Sequence, residues 1–266
     1  MDLGNVTQYG FEVVSNECVA QDVWRLIVRS DVAQTIEPGQ FMNLRVPGDG
    51  AHILRIPLSF KRADADDRTV ELLYAVVGEG TRRLSAMRPG DSSTLVGPSG
   101  NGWRAPAHAG RALLVAGGIG LPPVLAAADL LSGLDVDFDL IVGARSVAML
   151  VMPDVEACMA SAGDDARLVV CTDDGSAGVR GFVTQGMEEL LGQRSYAQVY
   201  TCGPNVMMAG VARLAREAGI ACQVSMERMM GCGFGACACC NVALSEGGYA
   251  LCCQDGPVFD AEEVAW

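Results

Sequence analysis

The chain has 266 residues, half of them hydrophobic, and its 19 basic and 32 acidic residues give a formal net charge of −13. This length suits two ordinary domains with a small appendage. The acidic balance argues against nucleic acid and anionic membrane surfaces as partners, because both bind clustered Lys and Arg. Residues 1–14 lack an apolar signal core, and the long uncharged stretch 112–128 is interrupted by glycines and prolines. We therefore expect a cytoplasmic protein without a membrane span.

The first third of the chain is patterned as short strands separated by turn residues. Strand-forming residues, several with period-two alternation, predict strands at 11–14, 23–28, 41–46, 70–77 and 93–96. Pro-Gly and Gly-Pro pairs between them supply the turns. Many short strands without long helices are typical of a small antiparallel β-barrel, which we assign to residues 1–105.

One segment of this barrel has the residue types that hold a flavin nucleotide. It reads Arg55-Ile56-Pro57-Leu58-Ser59 and lies at a predicted strand end. The guanidinium can fork onto a phosphate, and the serine hydroxyl can reach the edge of the flavin ring. The alternative is an ordinary strand end with a surface arginine and a turn proline.

A second segment strengthens the flavin interpretation. A strand containing Leu73, Tyr74 and Ala75 runs into Gly78, Gly80 and Thr81, and a helical stretch is predicted at 82–87. Glycines before a helix start leave backbone N–H groups for a pyrophosphate. An ordinary capped helix after a glycine turn is the alternative for this segment alone.

The middle of the chain changes to strand–helix alternation. Strands are predicted at 112–116, 138–143, 167–172 and 198–202, and helices at 123–131, 183–191 and 206–218. Alternation of this kind predicts a mostly parallel sheet that binds its ligand at the carboxyl ends of the strands. We assign residues 106–222 to a Rossmann-like domain.

Two strand ends of this domain suit a nicotinamide dinucleotide. Gly117, Gly118 and Gly120 form a tight turn between a buried strand and a helix, although not in the usual dinucleotide fingerprint. Cys202-Gly203-Pro204 ends another strand at the same predicted edge. A ligand-free glycine turn and a buried cysteine are the alternatives. The strand-end loop 172–176 is a candidate for ribose contact, and because only Arg145 could serve a 2′-phosphate there, NADH is favoured over NADPH.

Six of the eleven cysteines crowd between residues 232 and 253. The spacing is Cys232, four residues, Cys237, two residues, Cys240, and then a distant fourth cysteine. This is the plant-ferredoxin arrangement for a 2Fe–2S cluster. A structural zinc site is the alternative, but zinc sites usually pair their ligands as two short knuckles. Cys239 beside Cys240, and Cys252 beside Cys253, leave the ligand choice open; the two-residue gap favours Cys240.

The order of these motifs resembles the electron-transfer subunit of class B dihydroorotate dehydrogenase, within the ferredoxin–NADP reductase superfamily. The resemblance covers nearly the whole chain and is most specific at 230–237 and 253–259. It implies FAD, a 2Fe–2S cluster in residues 223–266 and NAD(H), and it places the fourth ligand at Cys253, before Gln254-Asp255-Gly256-Pro257. The resemblance also implies an FMN-containing catalytic subunit as partner, two copies of each chain, and a role in pyrimidine biosynthesis. Ile56 stands where a second arginine is frequent.

Two other functions are compatible with parts of this pattern. A similar module could serve another oxidoreductase, such as a ferredoxin–NADP oxidoreductase or a cytosolic hydrogenase. A redox sensor or metal-stabilised interaction module would explain the cysteines but not the paired flavin and nicotinamide motifs. Nothing in the chain resembles an orotate site, so pyrimidine chemistry is expected only through the resemblance.

Overall fold

The structure is a computed structural model that describes residues 7–47 and 53–266. In these ranges the strands are Thr7–Ala20 (β1), Val23–Arg29 (β2), Phe41–Leu44 (β3), Ile56–Ser59 (β4), Arg62–Asp64 (β5), Thr69–Ala75 (β6), Ser92–Ser99 (β7), Ala112–Gly117 (β8), Phe138–Ala144 (β9), Leu168–Thr172 (β10), Val179–Arg180 (β11), Gln198–Cys202 (β12), Ala221–Ser225 (β13), Asn241–Ala243 (β14), Tyr249–Leu251 (β15) and Val258–Asp260 (β16). The α-helices are Glu79–Ser85 (α1), Leu121–Gly133 (α2), Met152–Met159 (α3), Val183–Leu191 (α4) and Asn205–Glu217 (α5).

The N-terminal strands form one antiparallel sheet in the order β4-β3-β7-β1-β2-β6-β5. Strands β1 and β2 are joined by a two-residue turn in which Asp22 has a φ of 58°, a conformation that aspartate tolerates. Alternate residues point inward, so that Leu26, Val28, Val70 and Leu72 are fully buried in a core of their own. The result is an antiparallel half-barrel, which confirms the predicted class of this segment.

The central strands form a second sheet in the order β11-β10-β9-β8-β12-β13-β16. All neighbours are parallel except β16, which runs antiparallel to β13. Every residue of β8 is buried because helices cover both faces of the sheet. Leu114 packs among residues of α2 and α3 on one face, and Leu113 among residues of α4 and α5 on the other. This is the predicted Rossmann-like architecture.

The cysteine-rich C-terminus shares the central sheet. Strand β13 extends from 221 to 225, across the predicted boundary at 222, and β16 adds an edge strand to it. The segment is too short to bury its own apolar side chains, so Phe259 packs into the central core instead. Only the hairpin β14-β15 forms a separate small sheet among the described residues.

One asparagine joins the half-barrel to the C-terminal segment. Asn101 follows β7, and its amide nitrogen donates to the carbonyl oxygens of Asp255 and Val258 at 2.7 and 2.9 Å. Its amide oxygen accepts the Val258 N–H at 3.0 Å. Three hydrogen bonds from one side chain fix an orientation, so the cysteine-rich segment is held against the half-barrel.

Candidate functional site

The cysteine-rich loop wraps backbone N–H groups around its thiols. The N–H of Gly235 lies 3.1 Å from Sγ of Cys253, and that of Phe234 lies 3.5 Å from Sγ of Cys232. Burial opposes ionisation of Cys232, but bonds from Phe234 and Cys237 outweigh it and lower the pKa of the Cys232 thiol to about 7. N–H groups aimed at sulfur stabilise the thiolate that binds metal.

Two glycines let this loop pack closely on its neighbours. Gly233 and Gly235 have φ angles of 79° and 85°. A Cβ at Gly233 would lie 2.4 Å from the amide nitrogen of Asn43 in β3, and one at Gly235 would lie 2.2 Å from the Gln254 side chain. No other residue type fits both the backbone conformation and the space. The loop therefore rests directly on the half-barrel, beside Asn43.

The four predicted ligands lie as two pairs. Cys232 interacts electrostatically with Cys237, and Cys253 with Cys240 and, more weakly, with Cys232. Burial, with the neighbouring Cys240 thiol, raises the pKa of Cys253 to about 12. Among the described residues, no three His, Cys, Asp or Glu side chains converge on a point that one metal ion could occupy. Two thiols for each of two irons is the ligand arrangement of a 2Fe–2S cluster, and the site fits that group.

Within each pair of adjacent cysteines, the two thiols have different surroundings. The Cys252 thiol is fully buried and donates to the carbonyl oxygen of Met226 at 3.2 Å, whereas Cys253 accepts from the cysteine loop. Burial raises the pKa of Cys252 to about 12. Cys240 is 2% exposed and interacts with Cys253, whereas Cys239 is exposed, as is the predicted ligand Cys237. This geometry favours Cys253 and Cys240 within each pair.

The first predicted flavin segment forms the end strand β4 of the half-barrel sheet. Arg55, just before it, donates to the carbonyl and hydroxyl oxygens of Thr94 at 2.9 and 3.2 Å and to the Gln8 side chain at 3.0 Å. Burial and the nearby Arg45 lower the pKa of the Arg55 guanidinium. Ile56, Pro57, Leu58 and Ser59 are each half-buried.

The second predicted flavin segment meets the first. A Cβ on Gly80 would lie 3.1 Å from Cδ1 of Ile56, so the two motifs are in contact. Helix α1 begins at Glu79, three residues before the predicted start, because the Thr81 hydroxyl accepts the N–H groups of Val77 and Gly78 and caps the turn. Gly80 and Thr81 therefore lie in the first turn of the helix. The first N–H groups of a helix have no carbonyl acceptor within the helix.

Leu73 and Tyr74 present no side chain to this surface. Leu73 is 2% exposed and packs at the contact between the half-barrel and the central domain. Tyr74 is 1% exposed, and its hydroxyl donates to Asn16 at 3.0 Å. Burial raises its pKa, so the tyrosine stays neutral. Their part in a flavin site, like that of Ala75, is limited to the main chain and remains a prediction.

The predicted nicotinamide residues come together at the carboxyl end of the central sheet. A Cβ on Gly120 would lie 2.3 Å from the carbonyl oxygen of Cys202, and one on Gly117 would lie 3.1 Å from the Pro204 ring. Gly118 lies between them in the turn, and Gly203 adjoins Gly117. Burial raises the pKa of the Cys202 thiol to about 12, so it is a neutral group at this surface.

An open cleft joins the three sets of residues. Pro57 of β4 lines it from the half-barrel, Gly203 and Pro204 from the central domain, and residues 227–230 from the start of the cysteine-rich segment. Arg228 bridges two of its walls, because its guanidinium donates to Asn205 Oδ1 at 3.3 Å and to the Asn241 carbonyl at 3.2 Å. The sequence analysis did not identify Arg228 or Asn43. For Asn43 the available signal was a single asparagine among the apolar residues of a predicted strand.

Sequence comparison finds relatives that extend over nearly the whole chain. A protein of Geobacillus thermodenitrificans named "Dihydroorotate dehydrogenase B (NAD(+)), electron transfer subunit" is 38% identical over 258 residues, covering 95% of this chain and 96% of the relative. Relatives of the same name from Desulforamulus reducens and Clostridium acetobutylicum are each 34% identical, and cover 89% and 95% of this chain and of their own lengths.

This chain belongs to the family of dihydroorotate dehydrogenase B electron transfer subunits. The iron–sulfur cluster binding domain of dihydroorotate dehydrogenase B matches residues 227–265, which include all four predicted ligands. An oxidoreductase NAD-binding domain matches residues 114–213. The chain is thus an electron-transfer subunit of an NAD-linked oxidoreductase, as the motif order predicted.

Solved structures share the fold of this family member. The NADH-dependent reduced ferredoxin–NADP oxidoreductase has a chain that is 31% identical with a TM-score of 0.84, covering 96% of this chain and 89% of that one. A ferredoxin reductase of carbazole 1,9a-dioxygenase, at 22% identity and a TM-score of 0.68 over 81% of this chain and 67% of that one, shows the fold alone. Over the described residues, no helix has the length and apolar character needed to span a bilayer.

Proposed function

We propose that the chain passes electrons between NADH and a separate catalytic subunit through FAD and a 2Fe–2S cluster. The observation that carries the proposal is the shared cleft, on which the flavin strand, the nicotinamide strand ends and the start of the cysteine-rich segment all border. A route between cofactors needs these three sites side by side. Similarity to a flavin-dependent oxidoreductase supports FAD as the middle carrier.

The flavin residues would act as an anchor and a cradle. Arg55 is fixed on the half-barrel by Thr94 and keeps further N–H donors for a phosphate. Gly80 and Thr81, in the first turn of α1, offer backbone N–H groups to a pyrophosphate. Ser59 would contact the flavin ring from β4. A flavin held by these residues would supply the conversion of two-electron transfer from a nicotinamide into one-electron transfer to a cluster.

The cluster ligands would be Cys232 with Cys237 on one iron and Cys240 with Cys253 on the other. The two thiol pairs support this assignment, and the N–H groups of Phe234 and Gly235 would stabilise charge on the sulfurs. Cys239 and Cys252 would remain thiols, since Cys240 is the neighbour that interacts with Cys253 and since Cys252 donates into the core.

The central domain would bind NADH rather than NADPH. Gly117, Gly118 and Gly120 give the main chain close access to the dinucleotide, with Cys202, Gly203 and Pro204 opposite. In the loop after β10, hydrogen bonds from Ser176 and, to a smaller extent, the charge of Arg180 lower the pKa of Asp174, so a carboxylate lies beside an arginine where a ribose would lie. A carboxylate there accepts a ribose hydroxyl and repels a 2′-phosphate.

The partner would be an FMN-containing catalytic subunit that interconverts dihydroorotate and orotate, in an assembly with two copies of each chain in the cytoplasm. The names of the relatives, as electron transfer subunits of dihydroorotate dehydrogenase B, support a catalytic partner. This function would place the chain in pyrimidine biosynthesis. The formal net charge of −13 disfavours nucleic acid and anionic membranes as partners in this function.

An anaerobic affinity purification from native extract tests the proposal. We expect an FMN protein to co-purify and the complex to reduce orotate with NADH. If flavin and cluster are present and reduced by NADH but orotate is not consumed, the partner belongs to another oxidoreductase. A folded preparation that lacks flavin would contradict the electron-transfer proposal and favour a sensor.

A further inference from the structure

A buried aspartate of the central domain lies between two cations of the half-barrel. Asp154 in α3 has a side chain that is 1% exposed, and its Oδ1 lies 2.5 Å from Nζ of Lys61. Its Oδ2 accepts from Nη2 of Arg25. Arg25 is in β2 and Lys61 precedes β5, so both ion pairs cross between the two domains.

A second carboxylate holds these cations in place from their own side. Glu71 of β6 lies 3.0 Å from Nζ of Lys61 and 2.9 Å from Nε of Arg25, the latter as an ion pair without hydrogen-bond geometry. Asp129 on α2 is a further central-domain carboxyl near Lys61. Burial raises its pKa and so disfavours its charged form. On the half-barrel side Glu17 also lies 3.6 Å from Nη1 of Arg25, but its side chain is 62% exposed. Asp154 is the buried carboxylate that reaches both cations from the central domain, and its loss would remove both ion pairs across this contact.

The segment before Asp154 also borders the nicotinamide turn. Leu150 and Val151 line a narrow cleft with Val23 and Leu73 of the half-barrel and with residues 118–122 of the glycine turn. Close by, the N–H of Gln21 donates to the carbonyl oxygen of Ala148 at 2.8 Å, again across the two domains. Movement of α3 would therefore change the spacing between the glycine turn and the half-barrel.

We propose that Asp154 is a positioning residue for hydride transfer, fixing the nicotinamide domain against the flavin-binding half-barrel through Arg25 and Lys61. The proposal rests on the function proposed above. In that step a C–H bond of the reduced nicotinamide breaks and its hydride forms an N–H bond on the flavin; two electrons move, the nicotinamide is oxidised and the flavin reduced. Asp154 gives and takes neither proton nor electron.

The chain contains a matched control for this residue. Asp139 in β9 is fully buried and lies 3.3 Å from Arg111, 3.1 Å from Arg194 and 2.6 Å from the Tyr196 hydroxyl. All of these partners belong to the central domain. Removal of either carboxylate breaks two ion pairs and leaves each cation a second carboxylate, which is Glu71 for Arg25 and Lys61, Asp137 for Arg111 and Asp165 for Arg194. Only the loss of Asp154 releases a contact between domains.

The test compares Asp154→Asn, Asp154→Glu and Asp139→Asn in the cofactor-loaded chain, with NADH and dithionite as separate reductants in anaerobic stopped flow. We expect Asp154→Asn to slow flavin reduction by NADH about tenfold or more at saturating NADH. Dithionite reduction should be unchanged, Asp154→Glu should recover much of the rate, and Asp139→Asn should react like the parent chain. Hydrogen exchange at the Gln21 amide should accelerate in Asp154→Asn alone.

Parent-like reduction and exchange in Asp154→Asn, or equal slowing in Asp139→Asn, would overturn the proposal. If Asp154→Asn does not fold, Lys61→Gln replaces it, because this change breaks one of the two ion pairs to Asp154 while Arg25 keeps the other. We expect flavin reduction to slow and exchange at Gln21 to accelerate, each less than in Asp154→Asn; parent-like values of both would overturn the proposal. A parent chain that NADH does not reduce would contradict the proposed function instead, and exchange at Gln21 would still test the domain contact.

Discussion

The two ends of the central sheet are built from opposite kinds of residue. At the amino end, Asp139 is enclosed by Arg111, Arg194 and Tyr196, and the charged groups there satisfy one another. At the carboxyl end, the strands finish in glycines and in the half-buried Cys202, beside an open cleft. One end is closed by side chains, whereas the other offers main-chain groups to a ligand. Stability and binding are therefore separated along a single sheet.

The largest effect is expected at the cysteine loop, which belongs to the binding end. Cys253→Ser should lose the iron–sulfur cluster while flavin stays bound, because its sulfur faces the loop. Cys252→Ser is the matched control and should retain the cluster, since Cys252 bonds Met226 in the core. Iron analysis and electron paramagnetic resonance measure both. Full iron in Cys253→Ser, or none in Cys252→Ser, would show that the two neighbours are assigned the wrong way round.

The next largest effect is expected at the glycine turn. In Gly120→Ala the new methyl group would lie 2.3 Å from the Cys202 carbonyl oxygen and would push the turn from its strand. Reduction of the flavin by NADH should slow about 100-fold, the loss that a displacement of about 1 Å produces. Gly133→Ala at the end of α2 meets nothing within 4 Å and should react normally. A parent-like rate for Gly120→Ala would remove the turn from the nicotinamide site.

At the amino end of the central sheet, a substitution should lower the stability of the protein and leave the rate of flavin reduction unchanged. Asp139→Asn removes the carboxylate that Arg111 and Arg194 share, although they keep Asp137 and Asp165. It should lower the free energy of unfolding by about 2 kcal/mol, as for the loss of a charged hydrogen bond. Denaturant unfolding measures this change, and the rate of flavin reduction by NADH in the folded protein should not alter. A slower rate with unchanged stability would reverse the roles of the two ends.

The smallest effect is expected at the flavin anchor. Arg55→Ala removes donors to a phosphate but leaves the cradle of α1, so flavin affinity should fall about tenfold, as for the loss of one charged hydrogen bond. Flavin content after desalting measures the change. Undiminished retention would mean that Arg55 only joins β4 to β7 through Thr94.

Local patterns in the sequence were sufficient to predict features that depend on the spacing of neighbouring residues. The helix at 183–191 and the strand at 198–202 were predicted with the bounds that the structure has. Contacts between distant segments were not predictable. Nothing local indicates that Val258 pairs with Ser225 in the central sheet, that Asn43 supports Gly233, or that the Cys252 thiol turns inward. These depend on tertiary packing, which a single sequence does not reveal.

The most direct test of the account is an anaerobic titration of the cofactor-loaded chain with NADH, followed by flavin absorbance and by electron paramagnetic resonance. We expect NADH to bleach the flavin and to produce the signal of a reduced 2Fe–2S cluster in the same protein without any partner. A flavin and cluster that dithionite reduces but NADH does not would contradict electron transfer from NADH through this chain.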